Sequence, residues 1–174
     1  ARQRCWQSAW VLDLDIKGFF DNIDHDLLMR VLKKHTREPW ILLYVERWLK
    51  APAADEEGVL TERVQGTPQG GVISPLLANL FLHYVFDRWM RTHYPHLPFE
   101  RYADDAIVHC RTEAEAKAVW AALSERMRAC RLELHPYKTK VVFCKEDSRP
   151  GNYPNEQFTF LGYEFRPRSV KTRA

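Results

Sequence analysis

The chain has 174 residues, 45% of them hydrophobic, and a net charge of only +3. That length and apolar content suit a soluble globular chain with one good core. No apolar run approaches the ~20 residues of a membrane span, and no signal peptide opens the sequence. The run from Trp10 to Ile16 reads as the first strand, with Val11, Leu12, Leu14 and Ile16 apolar and a stop at Lys17-Gly18. Side chains alternate along a strand, so Asp13 and Asp15 share one face. A helix follows near 24–35, with Asp24 as N-cap and Leu27, Leu28, Val31 and Leu32 as its apolar stripe. A second helix is expected near 39–50.

An irregular stretch near 51–74 comes next. Ala51-Pro-Ala-Ala-Asp-Glu-Glu-Gly58 is the clearest connector. Gln65-Gly-Thr-Pro-Gln-Gly-Gly-Val-Ile-Ser-Pro75 is a glycine-rich loop leading into a helix. Glycines permit close backbone approach to a ligand, and helix N-termini favour phosphate. The loop lacks the lysine and spacing of a P-loop, and no dinucleotide fingerprint is present. Composition alone fits a long surface loop equally well. Ser74-Pro75 fits an N-cap and first-turn proline, ahead of Leu77, Leu80, Phe81, Tyr84 and Val85 on a helix near 75–91.

Two short strands near 99–104 and 106–110 then flank Tyr102-Ala-Asp-Asp105. This reads as a hairpin with two carboxylates at its tip. Adjacent like charges repel and need a compensating partner, which a divalent cation supplies. The plainer reading is a turn, which aspartate favours. Thr112-Glu-Ala-Glu115 fits a capping box for a helix near 113–131, with Val119, Trp120, Leu123 and Met127 facing the core. A last strand is expected near 139–144, and Ser148-Arg-Pro-Gly-Asn-Tyr-Pro154 is a second loop.

Reduced to its sheet elements, the order is α+β, a split β-α-β-β-α-β (ferredoxin-like) arrangement with a short C-terminal strand or hairpin. In that topology the third strand lies antiparallel beside the first, so Asp15 would face Asp104 and Asp105. Such a carboxylate cluster suits two Mg²⁺ ions and points to phosphoryl or nucleotidyl transfer. Cys5, Cys110, Cys130 and Cys144 form no C-x-x-C pair, and the histidines show no metal-ligand spacing. Zinc is therefore not expected, and reduced thiols are. From Lys138 onward eight Lys/Arg face four acids, among Tyr153, Phe158, Phe160, Tyr163 and Phe165. That suits a nucleic-acid backbone, although a solvated tail has the same composition.

Read in order, Asp15-Ile-Lys-Gly-Phe-Phe-Asp21, the stretch from Gly66 to Asn79, Tyr102-Ala-Asp-Asp105, Leu134-His-Pro-Tyr-Lys-Thr-Lys140 and Phe160-Leu-Gly-Tyr163 resemble a reverse transcriptase. More narrowly they resemble the bacterial group II intron-encoded reverse transcriptase/maturase. The resemblance runs from about Val11 to about Phe165. It implies an RNA-directed DNA polymerase palm over 1–150 and a primer-grip-like segment with a basic tail over 151–174. The family's N-terminal fingers strands, thumb and maturase domain have no counterpart here, so a fragment with little activity of its own and a tendency to self-associate is expected.

The resemblance also assigns roles. Asp15 and Asp104 would be the main metal ligands, Asp105 a supporting neighbour, and the Ile16 carbonyl a further contact. The ions would be two Mg²⁺, with Mn²⁺ as a substitute. Phe20 would exclude a 2′-hydroxyl, though it reads also as a core aromatic beside Phe19. Gln69 and Gly70 would border the incoming nucleotide and template. Lys138 would lie near the pyrophosphate as a candidate general acid, and reads equally as a solvated cation beside Lys140. Phe160, Leu161, Gly162 and Tyr163 would grip the primer end. Implied partners are an RNA template, a DNA primer, deoxynucleoside triphosphates and group II intron RNA, in the bacterial cytoplasm and without a membrane. A retron- or CRISPR-associated enzyme and a non-catalytic RNA-binding remnant are the alternatives. A cyclic-dinucleotide synthase is disfavoured, because Tyr-Ala-Asp-Asp stands where its glycine-rich acidic hairpin would be.

Overall fold

The computed structural model describes residues 1–54, 60–68, 70–146, 148–149 and 151–167. The chain divides into two compact units. One comprises 1–15, 94–125 and 134–174, and the other 16–93 and 126–133.

The first unit is built on a four-stranded antiparallel sheet. Its strands are β1 (Trp10–Leu14), β4 (Phe99–Tyr102), β5 (Asp105–Cys110) and β6 (Lys140–Phe143), in the order β4-β5-β1-β6. Val11, Leu12, Ile107 and Val108 are fully buried, as central strands covered on both faces require. The register sets Val11 against His109 and Val142, and Asp13 against Ile107 and Lys140. One sheet face therefore carries polar groups at one end and apolar ones in the middle. A β-hairpin, β7 (Phe158–Phe160) and β8 (Tyr163–Phe165), lies on that middle. Phe158 and Phe160 form one apolar cluster with Val11, Ile107 and Val142. On the other face Trp10, Phe143 and Tyr153 pack ring against ring, with centroids 4.5–5.0 Å apart.

Helix α1 (Arg2–Gln7) precedes β1, and α7 (Glu113–Ala129) follows β5. The capping box of α7 forms with one shift. The Glu115 N–H donates to Thr112 Oγ1 at 3.1 Å, while the Glu115 carboxylate reaches back one residue further than expected, to the Arg111 N–H at 2.7 Å.

The second unit is mainly helical. Its elements are α2 (Phe19–Asn22), α3 (His25–Leu32), α4 (Pro39–Lys50), a small pair β2 (Ala53–Ala54) and β3 (Leu60–Thr61), α5 (Ser74–Leu82) and α6 (Arg88–His93). The end of α7 also belongs to it. Asp24 caps α3 as expected, accepting from the Leu27 N–H at 2.8 Å. Helix α3 packs against α4 and α5. Ser74 is not the N-cap that Ser74-Pro75 led us to expect. Ile73 occupies that position, and the Ser74 hydroxyl turns back to the Pro68 carbonyl at 2.5 Å. The local loop thus uses the hydroxyl that the helix end would have used.

The helix expected near 75–91 runs to His93 through a π-helical turn, His83–Asp87. The turn's exposed side gathers Tyr84, with the His35 ring bonded to its hydroxyl at 3.0 Å and Lys34 and Arg88 over its ring. Arg126, from α7, donates to the carbonyls of Tyr84 and Val85 at 3.1 Å each. Among the described residues no helix is long and apolar enough to cross a membrane.

Candidate active site

The acidic end of the first unit's sheet is set by register. Leu14 pairs with Ala106 as the last rung between β1 and β5. One step further puts Asp15 level with Asp105. The β4–β5 turn consists of Ala103 and Asp104, between the paired Tyr102 and Asp105. Ala103 takes a left-handed φ of 52°, and the Arg101 guanidinium donates to its carbonyl at 2.8 Å. Asp104 therefore sits in the turn itself, beside Asp105.

An open pocket of about 380 Å³ lies at this end. Asp13, Asp15 and Asp105 line it with carboxylates, Lys138 and Lys140 with ammonium groups, and Leu14, Tyr137 and Thr159 complete the wall. Asp104 is not among the lining residues. Lys138 Nζ lies 3.6 Å from Asp15 Oδ2, and Lys140 Nζ lies 3.7 Å from Asp13 Oδ2. Burial pushes the Asp13 carboxyl up to about 6, with Lys140 opposing and Asp105 and Asp15 adding to the rise. Burial also raises Asp105, helped by Asp104 and Asp15 and opposed by a backbone N–H from Leu161. Three aspartates thus line the pocket, next to Asp104 in the turn, with two lysines as counter-charge. Among the described residues no three acidic, histidine or cysteine groups converge closely enough to hold a metal by themselves.

The backbone around Asp15 is clamped from the segment before β6. Its carbonyl accepts from the His135 N–H at 2.8 Å. The Thr139 hydroxyl donates to that carbonyl and accepts from the Asp15 N–H, both at 3.2 Å. Thr139 is buried. It holds the residue that carries the carboxylate while leaving the carboxylate in the pocket.

The hairpin expected to grip a primer reaches the same end. Leu161 and Gly162 form its tip, with φ of 54° and 77°. Paired positive φ values match the twist of a tight hairpin, which explains the glycine. Phe160 is buried, while Leu161 and Tyr163 are exposed. The Leu161 N–H donates to Asp105 Oδ2 at 3.2 Å.

The remaining expected residues lie in the second unit. Ile16 is buried at its start. Phe20 is half-buried on α2, with its ring edge-on to Phe19 at 5.3 Å. The glycine-rich loop holds this turn through its backbone. The Gly66 N–H donates to the Ile23 carbonyl and the Thr67 N–H to the Phe20 carbonyl, both at 2.7 Å. Gly66 has φ +81°, and a Cβ there would meet the Asp21 carbonyl at 2.8 Å and the Phe20 carbonyl at 2.9 Å. No other residue fits so close an approach. His25 Nε2 lies 2.7 Å from the Gly66 carbonyl. Gly70, also at φ +81°, has open space around it. Gln69, the tail beyond residue 167 and residues 55–58 of the connector lie outside the described residues.

Sequence reasoning gave no role to Asp13, Thr139 or Lys140. The alternation that puts Asp13 on the face of Asp15 was the available signal for the first. Thr139 and Lys140 stand inside the Tyr137-Lys-Thr-Lys140 run, without a pattern of their own to mark contacts with Asp15 and Asp13 at the far end of the chain.

Aspartates thus stand at the end of two paired antiparallel strands, beside the tip of a hairpin. The chain belongs to the reverse transcriptase (RNA-dependent DNA polymerase) family, whose pattern matches residues 2–165. Protein YkfC of Escherichia coli is 26% identical over 197 aligned positions, which cover 94% of this chain and 49% of YkfC. The group II intron-encoded protein LtrA of Lactococcus lactis is 40% identical over 76 residues, 44% of this chain and 12% of LtrA. A putative COX1/OXI3 intron 1 protein of Saccharomyces cerevisiae is 36% identical over 83 residues, 48% of this chain and 10% of that protein. The chain thus spans about half the length of YkfC and the matches to the two intron proteins about a tenth of theirs. In three dimensions it is similar to telomerase from Candida tropicalis in complex with a TWJ fragment of telomeric RNA. That likeness has a TM-score of 0.69 at 14% identity, over 95% of this chain and 30% of the other, and shows a shared fold.

Proposed function

We propose that this chain is the palm of an RNA-directed DNA polymerase of the group II intron type, which adds deoxynucleotides to a DNA primer on an RNA template. The observation that carries the reading is the register that sets Asp15 level with Asp105 at the mouth of an open pocket. Family membership supplies the reaction class, and the intron-encoded relatives favour intron RNA as the natural partner. The strand order β4-β5-β1-β6 supports a split β-α-β-β-α-β palm.

The donor set fits a hard divalent cation. Three aspartates line one pocket, and burial, with Asp104 and Asp15 adding to it, makes Asp105 harder to ionise. Mg²⁺ takes a few carboxylates and completes its shell with substrate phosphates, so few protein ligands are needed. Asp15, Asp104 and Asp105 would hold the ions, with the Ile16 carbonyl as a further donor. When bound, two Mg²⁺, or Mn²⁺ in their place, activate a primer 3′-hydroxyl and offset charge on the triphosphate.

The other residues position and select. Lys138 at the pocket rim supplies positive charge for the leaving pyrophosphate, or a proton to it. Leu161, Gly162 and Tyr163 at the hairpin tip hold the primer end next to Asp105, and Phe160 anchors the hairpin. Phe20 offers a rigid ring against a 2′-hydroxyl. The family resemblance assigns Gln69, outside the described residues, and Gly70 to the incoming nucleotide and template.

The test is incorporation of a single deoxynucleotide, by the protein that carries this chain, onto a DNA primer annealed to RNA, with Mg²⁺ present. The reading requires incorporation that follows the template base and falls at least about a hundredfold in Asp15→Asn and in Asp104→Asn. Incorporation that ignores the template, or survives both substitutions, would overturn it.

A further inference from the structure

The far end of the same sheet face carries reactive groups that the polymerase reading does not use. His109 is fully buried, beside Val11 in the register. Its Nε2 donates to Glu100 Oε2 at 2.6 Å, while its Nδ1 is buried with no hydrogen-bond partner among the described residues. Cys5, from α1, and Cys144, just past β6, both pack against the apolar cluster of Val11, Val142 and Phe158. One guanidinium gathers the two backbones. Arg149 Nη1 donates to the Cys5 carbonyl at 3.0 Å and to the Cys144 carbonyl at 3.3 Å.

The side chains of the two cysteines act on each other. Cys144 pulls the Cys5 thiol well below its usual range, against the effect of burial and with help from His109. Cys5, with burial, pushes Cys144 up. Cys5 is thus the more readily ionised of two thiols that sit on one apolar cluster, with their backbones held by one guanidinium. The other cysteines contrast with this pair. Burial pushes Cys110 up to about 12 and also raises Cys130.

We propose that Cys5 and Cys144 form a reversible disulfide when the protein meets a low-molecular-weight disulfide such as oxidised glutathione, with Cys5 as the attacking sulfur and His109 as its electrostatic partner. The Cys5 thiolate attacks one glutathione sulfur. That S–S bond breaks, and one glutathione leaves as a thiolate that takes a proton from solvent. Cys144 then gives its proton to solvent and attacks Cys5 Sγ, expelling the second glutathione. Each departing glutathione thiolate takes one proton from solvent, so the Cys5 thiolate and the Cys144 thiol together lose two electrons and one proton, and one oxidised glutathione becomes two reduced ones. The new bond ties α1 to the end of β6, beneath the hairpin that reaches Asp105. Intracellular disulfides of this kind are characteristically redox-sensing and not structural.

The test is exposure of the folded chain to oxidised glutathione at pH 7, followed by peptide mass mapping. The expected product links Cys5 to Cys144 with loss of two hydrogens, and leaves Cys110 and Cys130 free. Cys144→Ser should trap glutathione on Cys5, and Cys5→Ser should leave Cys144 unmodified. His109→Gln should slow capture at pH 6 by about tenfold. Alkylation of Cys5 by iodoacetamide in the unaltered chain should already be fast at pH 6 and needs no variant. The proposal fails if native protein gives no Cys5–Cys144 link, if Cys144 captures glutathione without Cys5, or if Cys5 alkylates only as pH passes about 8.

Discussion

The backbone N–H of Leu161 donates to the Asp105 carboxylate, at 3.2 Å, from the tip of the β7–β8 hairpin. Position and charge at the acidic strand end are therefore linked to the shape of a two-residue turn. Gly162 sits in that turn at φ +77° with open space around it. A β-branched residue there has room but not the backbone conformation. Gly162→Val should lower stability by about 1–3 kcal/mol in urea unfolding. Leu161→Gly, which relieves the strain at φ 54°, should cost little. Equal losses from both would show that the turn conformation is not what holds the tip.

Asp13 gives a pH signature. Burial, its largest influence, raises the carboxyl from 3.8 to about 6 in the folded chain. The folded state thus binds a proton more tightly than the unfolded one. Stability from this group is fully present below pH 4 and is lost as pH rises through 6. Asp13→Asn should therefore stabilise the metal-free protein by about 1–3 kcal/mol at pH 7. It should change little at pH 3.5. Thermal melts at the two pH values check this, and a uniform shift at both would contradict it.

Gly66 is held between two backbone carbonyls. Gly66→Ala should cost about 2–4 kcal/mol, because both the clash and the left-handed φ oppose a Cβ. Hydrogen exchange at the Thr67 amide, which donates to Phe20, should accelerate with it. Gly70→Ala is the comparison, with the same φ but no clash, and should cost about 1 kcal/mol.

Phe20 tests sugar selection. In a full-length parent enzyme, Phe20→Ala should raise ribonucleotide incorporation relative to deoxyribonucleotide by about tenfold or more, since steric exclusion is worth a few kcal/mol. The readout is the ratio of the two in templated single-nucleotide addition. An unchanged ratio would return Phe20 to the core beside Phe19.

How much of this was legible depends on range along the chain. The strands around Asp15 and Asp105 follow from apolar alternation, and the Asp24 and Thr112 caps from local side-chain chemistry. Ser74 was misread because its hydroxyl had a nearer acceptor in the loop, at Pro68. Thr139 was silent because its worth lies in two bonds to Asp15, 124 residues away. Cys5, Cys144 and His109 were silent for the same reason. A search for close cysteine spacing cannot find a pair that α1 and β6 bring together. Asp13 showed its face but not its burial, and burial is what sets its charge.

The central claim is that Asp15 and the Asp104–Asp105 pair form one divalent-cation site. Mn²⁺ titration followed by NMR line broadening tests it most directly, since the ion broadens only nearby nuclei. Binding should be weak without substrate, because phosphates supply part of the shell. Broadening should centre on residues 13–15, 104–105 and 161. It should vanish in the Asp15→Ala, Asp104→Ala double variant. Broadening centred elsewhere, or unchanged in that variant, would contradict the account.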